Sequence, residues 1–194
     1  MNILDLLTPR QRENGEKYAF DKGETLFQEG DVCSGVAFIQ RGKIKIASYT
    51  LEGREVVYNQ LREGDVFGNN LAFSNEPFYR GSVIGQTEGE IVYFPKGELM
   101  QLFTQNGAFL EEYLRIQSDF GKSLNLKIKL LGFANAEERF EYYLQTKQGI
   151  FRYRSISALA EELFLTRETL SRLLHRMKKD GKIVWEGKTI QMKH

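Results

Sequence analysis

From about residue 18 to residue 95 short apolar or alternating stretches are punctuated by glycine-centred turns. ETLFQ, GVAFIQ, KIKIASY, EVVYNQL, SVIGQ and EIVYF lie among glycines at 23, 30, 35, 42, 53, 64, 68, 81, 85 and 89. Closely spaced strands with Gly, Asp and Asn at the turns predict an antiparallel sandwich or jelly roll. Lys43-Ile44-Lys45-Ile46 alternates cleanly, which predicts a strand with one face in solvent.

The period changes after Pro95. Residues 96–103 read as a short helix and 107–131 as a long one. In the long segment Leu110, Tyr113, Gln117, Phe120, Leu124 and Leu131 fall on one stripe at three- and four-residue steps. Lys127 interrupts the stripe, Ile128 lies beside it, and Leu114 and Ile116 widen the apolar face. A packed core helix and a self-pairing coiled coil both account for this pattern. In the second reading Gln117 sets the register of a dimer seam. Residues 135–147 form a further amphipathic helix with Phe140, Tyr143 and Leu144 inward, closed by Gly149. The expected fold class is α+β, with a β-roll over 1–106, a dimerisation helix over 107–133 and a DNA-binding domain over 134–194.

In that last segment Ser155 or Ser157 can cap a helix through SALAEELF. A tight turn at Phe164-Leu165 leads to Thr166, a good N-cap for TRETLSRLLHRMKKDG, and Gly181 ends the helix. At about 100° per residue, Leu170, Leu173, Leu174 and Met177 share one face. Arg167, Glu168, Ser171, Arg172, His175, Lys178 and Lys179 share the other. Helix, short turn and second helix make the helix-turn-helix layout, whose second helix enters the major groove. Small Ala160 sits where the two helices approach. KIVW, Glu186-Gly187 and KTIQMK read as a hairpin wing.

The chemistry of the polar face suits base edges. Arg donates two hydrogen bonds to guanine O6 and N7, and Glu accepts from cytosine N4. Arg167, Glu168, Ser171 and Arg172 are therefore the expected base readers. Thr166, Thr169, His175, Lys178, Lys179 and Lys188 are placed for phosphate.

Composition narrows the alternatives. Hydrophobic residues make up 41% and charged residues 27% of 194, ordinary for a globular protein. No apolar run approaches the roughly 20 residues of a membrane span. MNILDLLTPRQREN lacks the features of a secretory signal, so a cytoplasmic location is expected. One cysteine, Cys33, and two histidines, His175 and His194, exclude a disulfide framework, an iron–sulfur cluster and grouped zinc ligands. With no histidine in residues 1–174, a metal-dependent β-barrel enzyme is not expected, and no enzymatic role is assigned. Cys33, in a turn after Gly30-Asp31, reads as a plain small residue, with redox sensing as the other reading. Residues 150–194 carry ten Lys and Arg against five Asp and Glu, and the rest carries 17 against 21. A basic end on an acidic body is the asymmetry of a nucleic-acid-binding module joined to a sensor. A sensor whose helical end contacts protein instead would present an acidic or apolar helix face.

LTRETLSRLLHRMKKDGKI…GKTI resembles the DNA-binding domain of the cAMP receptor protein/fumarate-nitrate regulator (Crp/Fnr) family, and the glycine-punctuated roll and long helix extend the resemblance over nearly the whole chain. It implies a homodimer that binds palindromic promoter DNA and regulates transcription, with RNA polymerase as a further partner in activation. Arg167, Glu168 and Arg172 fall on the base-reading positions of the cAMP receptor branch. Glu168, Ser171 and Arg172 fit the Glu-x-x-Ser-Arg pattern of the fumarate-nitrate branch. Together they imply a TGA-containing half-site, of the TGTGA or TTGAT kind. Phe164 departs from the family, standing where the turn has glycine. The family's cyclic-nucleotide cassette is a Gly-Glu-Leu helix start followed by Arg-Ser; here the run is GNNLAFSNEPFYRGS. Asn69 replaces Glu, Arg80 follows with one extra residue, and Gly81 replaces Ser. The corresponding effector pocket would comprise Gly68, Asn69, Asn70, Arg80, Gly81 and Ser82. Arg80 reads either as an anion ligand or as an ordinary turn arginine. These departures speak against a cyclic nucleotide, and the family's iron–sulfur and haem sensors lack their cysteines and axial histidine here. The expected effector is unidentified or absent.

Overall fold

A computed structural model describes residues 2–193. They divide into two compact units that meet in sequence at Gln117 and Ser118.

The first unit opens with a 3-10 turn (Ile3–Leu6) and α1 (Pro9–Glu13), two short elements that strand and turn periodicity does not flag. Eight strands follow: β1 (Glu16–Phe20), β2 (Thr25–Phe27), β3 (Gly35–Arg41), β4 (Lys43–Tyr49), β5 (Glu55–Arg62), β6 (Val66–Phe67), β7 (Ser82–Gly85) and β8 (Gly89–Pro95). They form two antiparallel sheets, ordered β1-β8-β3-β6 and β2-β7-β4-β5. One core lies between them, drawing Phe38, Ile39, Ile91 and Phe94 from the first sheet and Ile44 and Val83 from the second. In β4 the expected alternation holds only at its start: Lys43 is exposed and Ile44 fully buried, while Lys45 and Ile46 are both half-buried. Glycine is required at Gly68, where φ is +78° and an added Cβ would lie 2.7 Å from the Gly35 carbonyl oxygen. α2 (Lys96–Gln105) follows β8, and α3 (Gly107–Leu131) begins by burying Phe109 and Tyr113 in the same core.

The second unit takes in the later turns of α3, then α4 (Ala136–Thr146), β9 (Ile150–Arg152), α5 (Ile156–Glu162), α6 (Arg167–Lys179), β10 (Ile183–Glu186) and β11 (Thr189–Met192). Its core joins Leu130, Phe140, Leu144, Leu163, Leu170, Leu174 and Ile190. The side-chain oxygens of Asn135, Ser155 and Thr166 each accept a backbone N–H at the start of α4, α5 and α6, fixing where these helices begin. The wing has three antiparallel strands, ordered β10-β11-β9, because the short run after Gly149 pairs with β11.

Candidate nucleic-acid interface

α6 is held by its apolar side. Leu170, Leu173, Leu174 and Met177 are buried, and the opposite side is left to solvent. Arg167, Glu168, Ser171 and Arg172 line one shallow, open depression of about 430 Å3. The structure thus brings together the four side chains expected to read bases. Among the described residues no hydrogen bond or ion pair within the chain engages the Arg167 guanidinium or the Glu168 carboxylate, while Arg172 Nε donates to the Glu168 carbonyl oxygen at 3.3 Å. An open face with two arginines and one carboxylate offers donors for guanine and an acceptor for cytosine.

The flanking residues are less free. Thr166 Oγ1 accepts the Thr169 N–H at 3.1 Å and lies 2.9 Å from the Thr169 hydroxyl, so both threonines are occupied in capping. His175 Nδ1 sits 2.8 Å from the Ser171 carbonyl oxygen, and its ring stands edge-on to Trp185 with centroids 5.0 Å apart. Lys178 Nζ donates to the Trp185 carbonyl oxygen at 2.9 Å. Lys179 and Lys188 are exposed, the latter in the wing turn. An acidic or apolar helix face, which a protein-contacting end would need, is not what α6 presents.

Sequence patterning did not anticipate the scaffold beneath this face. Arg139 of α4 donates to the carbonyl oxygens of Leu163, Phe164 and Phe133 at 3.1–3.2 Å, capping the turn between α5 and α6. Glu137 pairs with Arg176 at 2.7 Å and with Lys182, which also reaches Glu141 at 3.3 Å. The Lys182 ammonium holds the Glu137 carboxyl below the usual carboxylate range. The alternation of aromatic and arginine in FRYR is the sequence signal for β9, and Tyr153 just after it donates its hydroxyl to the Gly187 carbonyl oxygen at 3.1 Å.

In the roll, the candidate effector residues that make polar contacts each have a separate partner within the chain. The segment between β6 and β7 is turn and bend. Asn69 Nδ2 donates to Gln117 Oε1 at 2.9 Å. Arg80 pairs with Glu76 at 2.7 Å, with both side chains largely in solvent. Ser82 Oγ accepts the Glu29 N–H, and Gly81 lies beneath the Tyr58 ring. Cys33 is buried, its Sγ 3.3 Å from the Gly35 carbonyl oxygen, and burial pushes its thiol pKa up. Among the described residues no cluster of His, Cys, Asp and Glu could hold a metal ion, and no helix is long and apolar enough to cross a membrane.

One expectation for α3 is corrected here. Tyr113, assigned to a dimer seam, is 5% exposed and packs 4.8 Å from Phe103 within the roll's own core. The roll covers that side of the helix, so Tyr113 has no surface to offer a second chain.

Comparison with known proteins agrees with these features. Residues 18–106 match the cyclic nucleotide-binding domain. The chain is 27% identical to the anaerobic regulatory protein of Bacillus subtilis, over 86% of this chain and 75% of that one. It is 28% identical to the fumarate and nitrate reduction regulatory protein of Escherichia coli K12, over 92% and 75%. Among solved structures, a CooA mutant from Carboxydothermus hydrogenoformans superposes with a TM-score of 0.66 at 19% identity, covering 100% of this chain and 92% of that one. With its β-roll, long helix and winged helix-turn-helix, the chain is similar over most of its length to transcription regulators of the Crp/Fnr type.

Proposed function

We propose that this protein is a homodimeric transcription regulator that reads palindromic promoter sites with TGA-containing half-sites, of the TGTGA or TTGAT type. The observation that carries the reading is the convergence of Arg167, Glu168, Ser171 and Arg172 on one open depression of α6. Lys179 and Lys188 extend the face towards the phosphates, with Thr166, Thr169 and the first-turn amides at the helix start. RNA polymerase is the further partner such a regulator engages.

Dimerisation is supported by the register of α3. Leu110, Leu114, Gln117, Gly121, Leu124, Ile128 and Leu131 follow alternating four- and three-residue steps, the spacing of a coiled-coil seam. Leu114, Leu124, Ile128 and Leu131 are 54, 46, 61 and 56% exposed. A second copy of the helix is the natural cover for such a stripe. Two reading helices would then meet major grooves about one turn, ~34 Å, apart.

The roll senses an effector other than a cyclic nucleotide, or sets the DNA-binding pose without one. Asn69 is engaged by Gln117 and Arg80 by Glu76, so neither is directed to a shared ribose and phosphate.

A mobility-shift titration tests the reading. Duplexes carrying a TGA palindrome, the same palindrome with scrambled half-sites, and random sequence are compared at fixed salt. Preference for the palindrome is expected; equal affinity for all three overturns the assignment.

A further inference from the structure

The base readers lie on α6, but the phosphate-facing Lys188 lies on the wing, and a wing is not rigid by itself. β10 and β11 have four residues each, and a short hairpin depends on its packing for a fixed position. A continuous run of contacts supplies that packing. His175 Nδ1 lies 2.8 Å from the Ser171 carbonyl oxygen; since a carbonyl only accepts, Nδ1 carries the hydrogen. This bond aligns the ring, which meets Trp185 of β10 edge-on, interplanar angle 80°. On its other side the Trp185 indole N–H donates to the Tyr153 hydroxyl at 3.0 Å. Tyr153 in turn donates its hydroxyl to the Gly187 carbonyl oxygen at 3.1 Å and its backbone N–H to the Lys188 carbonyl oxygen at 3.0 Å. Lys178 clamps the same strand through the Trp185 carbonyl.

We propose that His175 is a positioning residue for DNA binding: through Trp185 and Tyr153 it holds the wing turn, and with it Lys188, in register with the base-reading side of α6. With Nδ1 committed to Ser171 and the ring set edge-on to Trp185, both contacts of His175 are made within the protein. The inference rests on α6 being the DNA-reading helix.

Two measurements on the full chain test it. In the first, affinity for a TGA palindrome is followed against salt for wild type, His175→Ala, His175→Phe, Lys188→Ala and the His175→Ala/Lys188→Ala pair. The expected result is that His175→Ala lowers the salt slope by about one phosphate contact, as Lys188→Ala does. The pair should then lose no more than Lys188→Ala alone. His175→Phe, which restores an aromatic edge against Trp185 but has no donor for phosphate, should recover part of the loss. Additive losses, or a Phe variant as weak as Ala, would mean that His175 touches DNA itself and would overturn the proposal. The second measurement uses Trp185, the only tryptophan in the chain. Removing the ring that stands edge-on to the indole should shift the emission maximum of the free protein in His175→Ala and restore it in part in His175→Phe. An emission spectrum unchanged in His175→Ala removes the His175–Trp185 contact and the proposal with it. If no duplex binds in preference to random sequence, the DNA-reading assignment itself fails, an outcome distinct from additive losses on a well-recognised palindrome.

Discussion

Asn69 of the roll donates its side-chain amide to the Gln117 carbonyl oxygen of α3 at 2.9 Å, tying the turn after β6 to that helix. Nearby on the same helix the Tyr113 hydroxyl is buried without a hydrogen-bond partner, and so is Gln117 Nε2. Burial, with a smaller contribution from Cys33, pushes the Tyr113 pKa up to about 12.

Asn69→Ala removes the donor that Gln117 Oε1 meets at 2.9 Å and leaves a part-buried amide unsatisfied. The expected loss is about 1–3 kcal/mol of roll stability, measured by urea unfolding. Adding Gln117→Leu should recover most of it, because the amide left without a partner is then gone. A double variant weaker than Asn69→Ala would show that the bond is not what matters there.

Arg172→Ala should flatten the preference between TGA palindromes and scrambled duplex by about 1–3 kcal/mol. Lys188→Ala should weaken all duplexes alike and lower the salt slope by about one. Quantitative mobility shifts at several salt concentrations separate the two.

Leu124→Glu places a charge in the proposed seam. It should convert a dimer into a monomer in sedimentation velocity at micromolar concentration, while far-ultraviolet circular dichroism keeps its helical signal. A wild type that is already monomeric contradicts the seam.

Phe164 holds φ +54°, a left-handed conformation that costs a non-glycine residue about 1–2 kcal/mol. Because the side chain is 41% exposed, little packing offsets this. Phe164→Gly is expected to stabilise the C-terminal unit by up to about 1 kcal/mol, less than the full strain because glycine also loosens the unfolded chain. Phe164→Ala, which keeps the Cβ, should give no gain. Denaturant midpoints decide it.

Glu137 has its folded-state pKa lowered chiefly by the hydrogen bond from Lys182, whose own pKa is raised chiefly by Glu137. A lowered carboxyl pKa contributes stability above the unfolded value, about 4.3 for Glu, and loses it as pH falls through the folded one. Glu137→Gln should therefore be less stable than wild type at pH 6, and the gap should close below about pH 4. Thermal unfolding of both proteins across that range measures it; a gap that persists in acid points to lost packing instead.

The helix-turn-helix was legible because its information is local. A capping Thr166, a run of leucines at helical spacing and a hairpin with Gly187 specify α6 and the wing within thirty residues. The glycine-punctuated strands announced the roll in the same way. What escaped was non-local. β9 is three residues long and exists because β11 offers it an edge, and Arg139 caps carbonyls some 24 residues away. The stripe on α3 shows the same limit from the other side. Periodicity placed Tyr113 and Gln117 on one face, yet the roll covers Tyr113 and leaves Leu114 to solvent.

By itself, then, the sequence determined which residues face away from the core of α6, and so the chemistry offered to DNA, because helical period and capping are short-range. Only the tertiary structure decided that Asn69 meets Gln117 and not Arg80, that Arg80 turns to Glu76, and that His175 rests on Trp185. Such pairings join side chains up to 48 residues apart, and no local propensity encodes which buried or half-buried polar group will find which partner once the core has closed.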